Sequence, residues 1–279
     1  MKDKTMTAAE AAKMVTSGMH LGLGAGMAMN PMPVVREIIK NKVTGLTLTP
    51  LLTGGFAADL MIGSGCVACV QFPQVVMDEF GLAPNFRKWV ESGRVTLKET
   101  MCPVLLAGLQ AGANGLPFTP VLGAFNTSYM DILKDYAVMK DPFTGHDYVV
   151  VPAVVPDIAV VHGFVGDRHG GVVLDSGRND RLLAMAAKKT IVVVEKLAEP
   201  DDVIPGRHGV YLANIHVDAV VHAPNAAHPT ECRDHYPLDA GHLFGYMEAA
   251  KDETTFQEYL DTYITGPANH AEYLAMVGR

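Results

Sequence analysis

Short apolar runs alternate with amphipathic segments along almost the whole chain. Uninterrupted apolar runs, such as residues 148–155 and 158–161, are typical of strands that are covered on both faces. Amphipathic segments such as residues 33–40 and 179–189 are typical of helices that cover such a sheet. The pattern predicts strands at residues 19–23, 46–52, 66–72, 95–97, 117–125, 148–155, 158–161, 190–194 and 217–223, and helices at residues 7–18, 33–40, 86–93, 99–113, 131–140, 179–189, 256–264 and 270–277.

Strand–helix–strand order is the signature of a parallel sheet. We therefore predict an α/β fold, an open and mostly parallel sheet with helices on both faces. No repeat, linker or low-complexity segment divides residues 1–279, so we expect a single domain. Ligands of such sheets bind beyond the carboxyl ends of the strands. The loops at Gly24, Gly54, Asn126, His162 and His228 all follow predicted strands and are expected to converge there.

A glycine turn, Gly24-Ala25-Gly26, follows the first strand. Glycines at a turn expose backbone N–H groups and let another group approach closely. The turn therefore suits an anion, either a phosphate or a developing oxyanion. Met27 and Met29 stand where a G-x-G-x-x-G motif would need glycine, and the Gly-Lys-Ser/Thr of a P-loop is missing, so both nucleotide motifs fail. The alternative is a turn that only lets strand and helix pack.

The helix after this turn is predicted to face the core with four aliphatic residues and to turn Arg36, Glu37 and Lys40 outward. Other loops offer further candidates, each with an alternative. Gly54 and Gly55 either shape a pocket or only end a strand. The polar residues 126–128 either bind a ligand or cap the next helix. A histidine at a strand end suits a site, although many histidines only pack in a core. The candidate substrate-binding residues are Gly54, Gly55, Asn126, Thr127, Ser128 and His162.

Composition excludes several classes of protein. The formal net charge of −8 argues against a nucleic-acid surface. No apolar run is long enough to span a bilayer, and the N-terminus lacks a signal-peptide pattern, so we expect a cytoplasmic protein with reduced cysteines. Only Cys66 and Cys69 have C-x-x-C spacing, and without a second pair no metal site is predicted. Neither G-x-S-x-G nor H-E-x-x-H occurs.

Several motifs, taken in order, resemble the A (alpha) subunit of family I CoA-transferases, most closely the glutaconate CoA-transferase type. The likeness covers nearly the whole chain. It is carried by Leu21-Gly-Leu-Gly-Ala-Gly with Pro33, Phe86-Arg-Lys-Trp with Gly93, Gly115-Leu-Pro-Phe with Pro120, Asp157-Ile-Ala-Val-Val-His162, and Val217-Asp-Ala-Val-Val with Ala227-His-Pro.

The resemblance implies an obligate A/B hetero-oligomer that moves CoA from an acyl-CoA to a carboxylic acid. It places the catalytic glutamate on the B subunit, in a Ser-Glu-Asn-Gly-like segment that this sequence lacks. It gives the backbone of Gly24, Ala25 and Gly26 the role of binding the thioester oxyanion. Coenzyme A is then a substrate, and no permanently bound cofactor is expected.

The chain departs from the family pattern just after the turn. The family often has Gly-Gly-Phe and a later Gly-x-Pro, where this chain has Ala25-Gly-Met and then Asn30 and Met32. The pocket is therefore expected to differ in shape, with Asn30 as a further substrate-binding candidate.

Two other functions stay open. The resemblance extends to ring-opening CoA hydrolases, in which the A chain carries a catalytic glutamate in the segment that reads Glu99-Thr-Met-Cys-Pro here. Cys102 stands at the glutamate's position, and Glu99 is predicted one helical turn away. A non-catalytic metabolite-binding domain on a similar sheet is the third possibility.

Overall fold

The computed structural model of the protein describes residues 2–125 and 127–279. Its strands are β1 (His20–Leu23), β2 (Leu46–Pro50), β3 (Thr53–Gly54), β4 (Val67–Phe72), β5 (Gln74–Val75), β6 (Thr96–Glu99), β7 (Phe118–Val121), β8 (Ala137–Lys140), β9 (Asp147–Pro152), β10 (Ile158–Gly166), β11 (Val172–Asp175), β12 (Thr190–Leu197), β13 (Gly209–Leu212) and β14 (Ala219–His222). Its helices are α1 (Ala8–Ala12), α2 (Met32–Lys40), α3 (Phe56–Gly63), α4 (Pro84–Glu91), α5 (Cys102–Ala113), α6 (Tyr129–Ile132), α7 (Asp180–Ala186), α8 (Ala240–Ala249), α9 (Glu253–Leu260) and α10 (His270–Met276).

The central sheet is mostly parallel, as predicted. In the described part of the chain, β14, β12, β10, β1, β2, β4 and β6 lie side by side in that order and run parallel. An antiparallel extension, β11 with β13, pairs with the second half of β10. The chain first adds strands on one side of β1 and then, from β10 onward, on the other side. The strand order therefore reverses at β1, which is where open α/β sheets bind ligands.

Helices cover both faces of this sheet. Val34 of α2 packs on one face, in a core that includes side chains of α1, α3, α8 and α9. Leu109 of α5 packs on the other face with side chains of α7. Successive residues of β12, Val192 and Val193, belong to opposite cores, which explains its uninterrupted apolar sequence. None of the helices among the described residues combines the length and the hydropathy needed to cross a bilayer.

The helix predicted over residues 131–140 is wrong. α6 ends at Ile132, and Ala137–Lys140 forms β8, which pairs with β9 and, through it, with β7 in a separate antiparallel sheet. A turn at residues 141–146 joins β8 to β9, so pairing with a neighbouring strand overrides local helix preference. β9 is a predicted strand, but it belongs to this small sheet, and only Val149 and Val151 are fully covered.

The helices α3 and α8 and the strands β3, β5, β11 and β13 are absent from the predicted elements. The sequence of α3 shows no amphipathic period, because all of its first seven residues are buried, including Asp59. The helix predicted to begin at residue 99 begins at Cys102, since residues 96–99 form β6.

Arg36 is buried, although the pattern of α2 turns it outward. Its guanidinium carbon lies 3.4 Å from the centroid of the Tyr273 ring, and Nη2 donates to the His228 carbonyl oxygen at 2.9 Å. α10 therefore covers the face of α2 that the sequence predicted to be solvated. Lys40 and Glu37 pair with each other at 2.7 Å on that helix.

The cluster around Arg36 predicts that acid destabilises the fold. Burial, reinforced by Arg36, lowers the pKa of His242 and of His270 to about 4. Below the ordinary pKa of 6.5, the unfolded chain binds protons at these histidines that the folded chain does not. We expect the free energy of unfolding to fall as the pH drops from 6.5 to 4, by ~1.4 kcal/mol for each pH unit that separates the folded and unfolded pKa values of each histidine.

Denaturant unfolding at a series of pH values measures this effect. His270→Gln should flatten the profile, whereas substitution of the exposed His222 by glutamine should leave it unchanged. Equal slopes for the wild-type chain and the His270 variant would contradict the assignment.

Candidate active site

A cleft of about 470 Å³ opens beyond the carboxyl ends of β1 and β2. The turn after β1 contributes Ala25 and Gly26, the segment after β2 contributes Thr53, and the loop before α7 contributes Arg178. The strand order reverses at β1, so the cleft lies where an open α/β sheet binds its ligand.

Residues of the glycine turn with unpaired backbone N–H groups lie at the wall of this cleft. The prediction that Gly24 offers a free N–H is wrong, because this group donates to the Val160 carbonyl oxygen at 2.9 Å and extends the pairing of β1 with β10. The N–H groups of Ala25, Gly26 and Met27 find no acceptor in residues 2–125 and 127–279, and all three residues line the cleft. The available donors therefore begin one residue later than predicted.

Arg178 holds the turn at the cleft wall. Its Nη2 donates to the Ala25 carbonyl oxygen, and its Nε donates to Asp180 Oδ2 at 2.7 Å. Asp180 is fully buried at the start of α7. A Cβ atom on Gly24 would lie only 2.9 Å from Asp180 Oδ1, so glycine at position 24 lets the turn approach this carboxylate.

Asn30 holds the turn from inside the protein. It is fully buried, and its Nδ2 donates to the Gly26 carbonyl oxygen at 3.0 Å and to Thr230 Oγ1 at 2.9 Å. The C=O and N–H of a trans peptide point in opposite directions. Because the Gly26 carbonyl is directed at Asn30, the N–H of Met27 is directed away from Asn30. Asn30 does not line the cleft, so it positions the turn and does not contact a ligand there.

Gly55 packs against the back of the turn. A Cβ atom on Gly55 would lie 2.2 Å from the Gly26 carbonyl oxygen and 2.8 Å from the Gly26 Cα. On Gly54, a Cβ atom would meet three neighbouring side chains at 3.1 to 3.2 Å. Neither glycine lines the cleft, but Gly55 allows the start of α3 to support the turn.

His162 lies within β10, not at its end, and is fully buried. Its Nε2 lies 2.9 Å from Glu195 Oε1. Glu195 also accepts hydrogen bonds from the Asn225 and Ala226 N–H groups and from the Tyr236 hydroxyl. Burial raises the pKa of Glu195, but His162 and these donors outweigh burial and leave the pKa below its usual value. The network fastens the loop after β14 to the sheet, and His162 does not line the cleft.

Cys232 completes a cluster with His162 and Glu195 in which one potential ligand atom of each lies within 4.8 Å of the others. A metal ion in a tetrahedral site binds cysteine, histidine and glutamate side chains in their deprotonated forms. Here the Glu195 Oε1 atom already accepts from Tyr236 and Ala226, and burial raises the pKa of the Cys232 thiol well above its usual value. These contacts indicate a structural polar network.

The polar residues 126–128 are not brought to the glycine turn. Asn126 lies outside the described residues, and Thr127 Oγ1 donates to the Ala124 carbonyl oxygen at 2.7 Å. Ser128 lines a different cavity, of about 270 Å³, together with Glu99. His228 is buried between Tyr273 and Asp239 and is also absent from the cleft lining. Among the described residues, the loops after β1, β2 and β14 therefore converge on the cleft, the last of them through Glu231 and not through His228.

One protein-family model, described as Coenzyme A transferase, matches residues 5–223 of this chain. The chain belongs to the coenzyme A transferase family. The matched range contains the glycine turn and every described strand of the central sheet. The family predicted from the sequence is confirmed, and so is the enzyme class, a CoA-transferase.

Relatives of this CoA-transferase-family chain carry more than one activity in their names. The A subunit of glutaconate CoA-transferase from Acidaminococcus fermentans is 30% identical over 99% of this chain and 92% of its own length. The crystal structure of glutaconate CoA-transferase from that organism matches with a TM-score of 0.90 and 29% identity, over 99% of this chain and 93% of that chain. The cholesterol ring-cleaving hydrolase IpdA subunit of Rhodococcus jostii is 29% identical over 95% of this chain and 94% of its own length. The chain spans only 63% of a 32% identical, uncharacterized relative from Archaeoglobus fulgidus, which covers 100% of this chain.

The charged side chains of the cleft are missing from the sequence prediction. They are Arg178, Asp78, Glu79 and Glu231. Burial and the neighbouring Glu79 raise the pKa of Asp78. The position of Arg178, between a strand and a helix, was a usable signal, because ligand-binding residues concentrate in such loops. Asp78 and Glu79 lie in a single 3-10 turn and Glu231 lies in the loop after β14, and no periodic pattern marks these short segments.

Proposed function

We propose that this chain is the A subunit of a heteromeric CoA-transferase that moves CoA from an acyl-CoA to a carboxylic acid. In the first step, a glutamate carboxylate of the B subunit adds to the thioester carbonyl, and the tetrahedral adduct expels CoA as a thiolate and leaves an acyl–glutamyl mixed anhydride. The thiolate then attacks the glutamyl carbonyl, giving glutamyl-CoA and releasing the first acid. The second acid takes up CoA through the same two steps in reverse. Coenzyme A acts as a substrate throughout.

The observation that carries this proposal is the turn Ala25-Gly26-Met27, whose residues line the cleft and whose N–H groups have no acceptor among the described residues. The thioester oxygen becomes negative as the carboxylate attacks. Fixed N–H donors stabilise that charge without reorganising, and the loss of one such donor typically costs ~3 kcal/mol of transition-state stabilisation.

The need for a B subunit rests on two observations. The glutaconate CoA-transferase relative is named as the A chain of its enzyme, and this sequence has no Ser-Glu-Asn-Gly segment. The partner would therefore bring the nucleophile to the open side of the cleft, opposite the turn.

A CoA-ester hydrolase is the second candidate, and the relative named as a ring-cleaving hydrolase subunit favours it. Its catalytic glutamate would have to come from residues 99–103. Glu99 is the last residue of β6, not a helical neighbour of Cys102, and it lines the cavity beside Ser128 instead of the cleft. This placement favours the transferase.

We expect CoA transfer only when this chain is co-expressed with a B-type chain, such as one encoded by a neighbouring reading frame. With acyl-CoA present, borohydride reduction followed by mass spectrometry should modify a glutamate of the partner. Release of free CoA without an acid acceptor would favour the hydrolase. Glu79 and Glu231 also line the cleft, so modification of either one, or transfer by the isolated chain, would contradict the proposal.

A further inference from the structure

We propose that Arg178 forms a carboxylate-binding subsite beside the glycine turn. The inference rests on the proposed function, because it assigns a residue to one substrate of that reaction. The ligand is a carboxylate group, either the reacting carboxylate of the acceptor acid or the far carboxylate of a dicarboxylic substrate.

The guanidinium of Arg178 is fixed before any ligand arrives. Its Nε donates to the buried Asp180 and its Nη2 to the Ala25 carbonyl oxygen, so two of its three nitrogens are held by the protein. The Arg178 side chain is 17% exposed. A guanidinium held in this way loses little conformational entropy when it binds a carboxylate.

The third nitrogen of this guanidinium is available to a ligand. Nη1 of Arg178 has no acceptor among residues 2–125 and 127–279, and it lies 3.7 Å from the position that a Cβ atom on Gly26 would occupy. It therefore lies close to Gly26, at the wall of the cleft that both residues line. Arginine N–H groups bind carboxylates more strongly than neutral donors do.

The charges around the cleft restrict where a carboxylate can bind. Asp78, Glu79 and Glu231 line the same cleft and repel an anion that binds near them. The guanidinium of Arg178 and the unpaired N–H groups of the turn are the positive elements among the described lining residues. A carboxylate is therefore directed to this one side of the cleft.

The test uses the A/B complex with two acids of similar length, glutarate with two carboxylates and butyrate with one. Arg178→Gln should raise the KM for the acid about tenfold or more, as expected for losing a hydrogen bond to a charged group. Arg178→Lys keeps the positive charge but lacks the planar guanidinium, so its KM for the acid should lie between those of the wild type and Arg178→Gln. Arg181→Gln removes the same charge from an exposed position of α7 and should leave KM unchanged. A rise for both acids assigns the reacting carboxylate, and a rise for glutarate alone assigns the far carboxylate.

A purely structural role of Arg178 would give a different result. Asn30→Ala loosens the turn without touching the cleft and should lower kcat with no preference between acids. An Arg178→Gln variant that folds, and that lowers kcat in the same way without raising either KM, would overturn the subsite.

Calorimetric titration of glutarate into the complex separates this inference from the proposed function. Weaker binding to Arg178→Gln than to the wild type supports the subsite even if the complex transfers no CoA. Equal binding, or no binding to the wild type, overturns the subsite even if transfer occurs.

Discussion

Gly55→Ala is expected to lower kcat of the A/B complex by about 100-fold, the size of effect seen when a reacting group is misplaced by roughly 1 Å. The added methyl group would lie 2.2 Å from the Gly26 carbonyl oxygen, so the turn or the start of α3 must move. Movement of the turn redirects the N–H groups that the proposal assigns to the oxyanion. Steady-state kinetics with saturating acyl-CoA and acid measure the effect.

A matched glycine-to-alanine change is available in α8. Gly245 has no atom within 4 Å of the position its Cβ would take, so Gly245→Ala should leave kcat unchanged and slightly stabilise the helix. Thermal unfolding of both variants shows whether Gly55→Ala has lost its fold or only its activity. A folded Gly55→Ala complex with wild-type kcat would contradict the role of the turn.

Asp59→Ala is expected to lower the free energy of unfolding by about 3 kcal/mol or more, because it leaves buried donors unpaired. Asp59 is fully buried on α3 and accepts hydrogen bonds from the Tyr246 hydroxyl, from Asn85 Nδ2 at 3.2 Å and from the Phe86 N–H at 2.7 Å. These bonds tie α3 to α4 and α8. Denaturant titration of the purified chain measures the loss.

The exposed Asp201 provides the control. Asp201→Ala should change the free energy of unfolding by no more than about 0.5 kcal/mol. A loss below about 1 kcal/mol for Asp59→Ala would show that the three helices are held together mainly by apolar contacts.

Strong periodic patterns made the central sheet predictable. β12 reads as an apolar run because alternate residues enter two cores, and α2 reads as a helix because one face is aliphatic. Where tertiary contacts determine the local structure, the hydrophobic pattern gives a wrong prediction. Residues 137–140 become a strand by pairing with β9, and Arg36 is buried because α10, more than 200 residues later in the chain, supplies Tyr273 as its partner.

The sequence predicted only the part of the site that the glycine turn itself forms. The cleft lies at the turn after β1, yet which amides are free depends on Val160, a residue of the neighbouring strand. Asn30 and His162 have the polar character of ligand-binding residues, but the fold buries both away from the cleft. The place of Arg178 between a strand and a helix marks it as a candidate, but its contact with the turn, 153 residues away in the sequence, leaves no local pattern.

A structure of the A/B complex with an acyl-CoA bound tests the role of the glycine turn most directly. We predict the thioester oxygen at about 2.7–3.1 Å from a backbone nitrogen of Ala25, Gly26 or Met27, with a partner carboxylate on the opposite side of the carbonyl. A thioester bound elsewhere, or a turn covered by the partner so that no carbonyl can reach it, would contradict this mechanism.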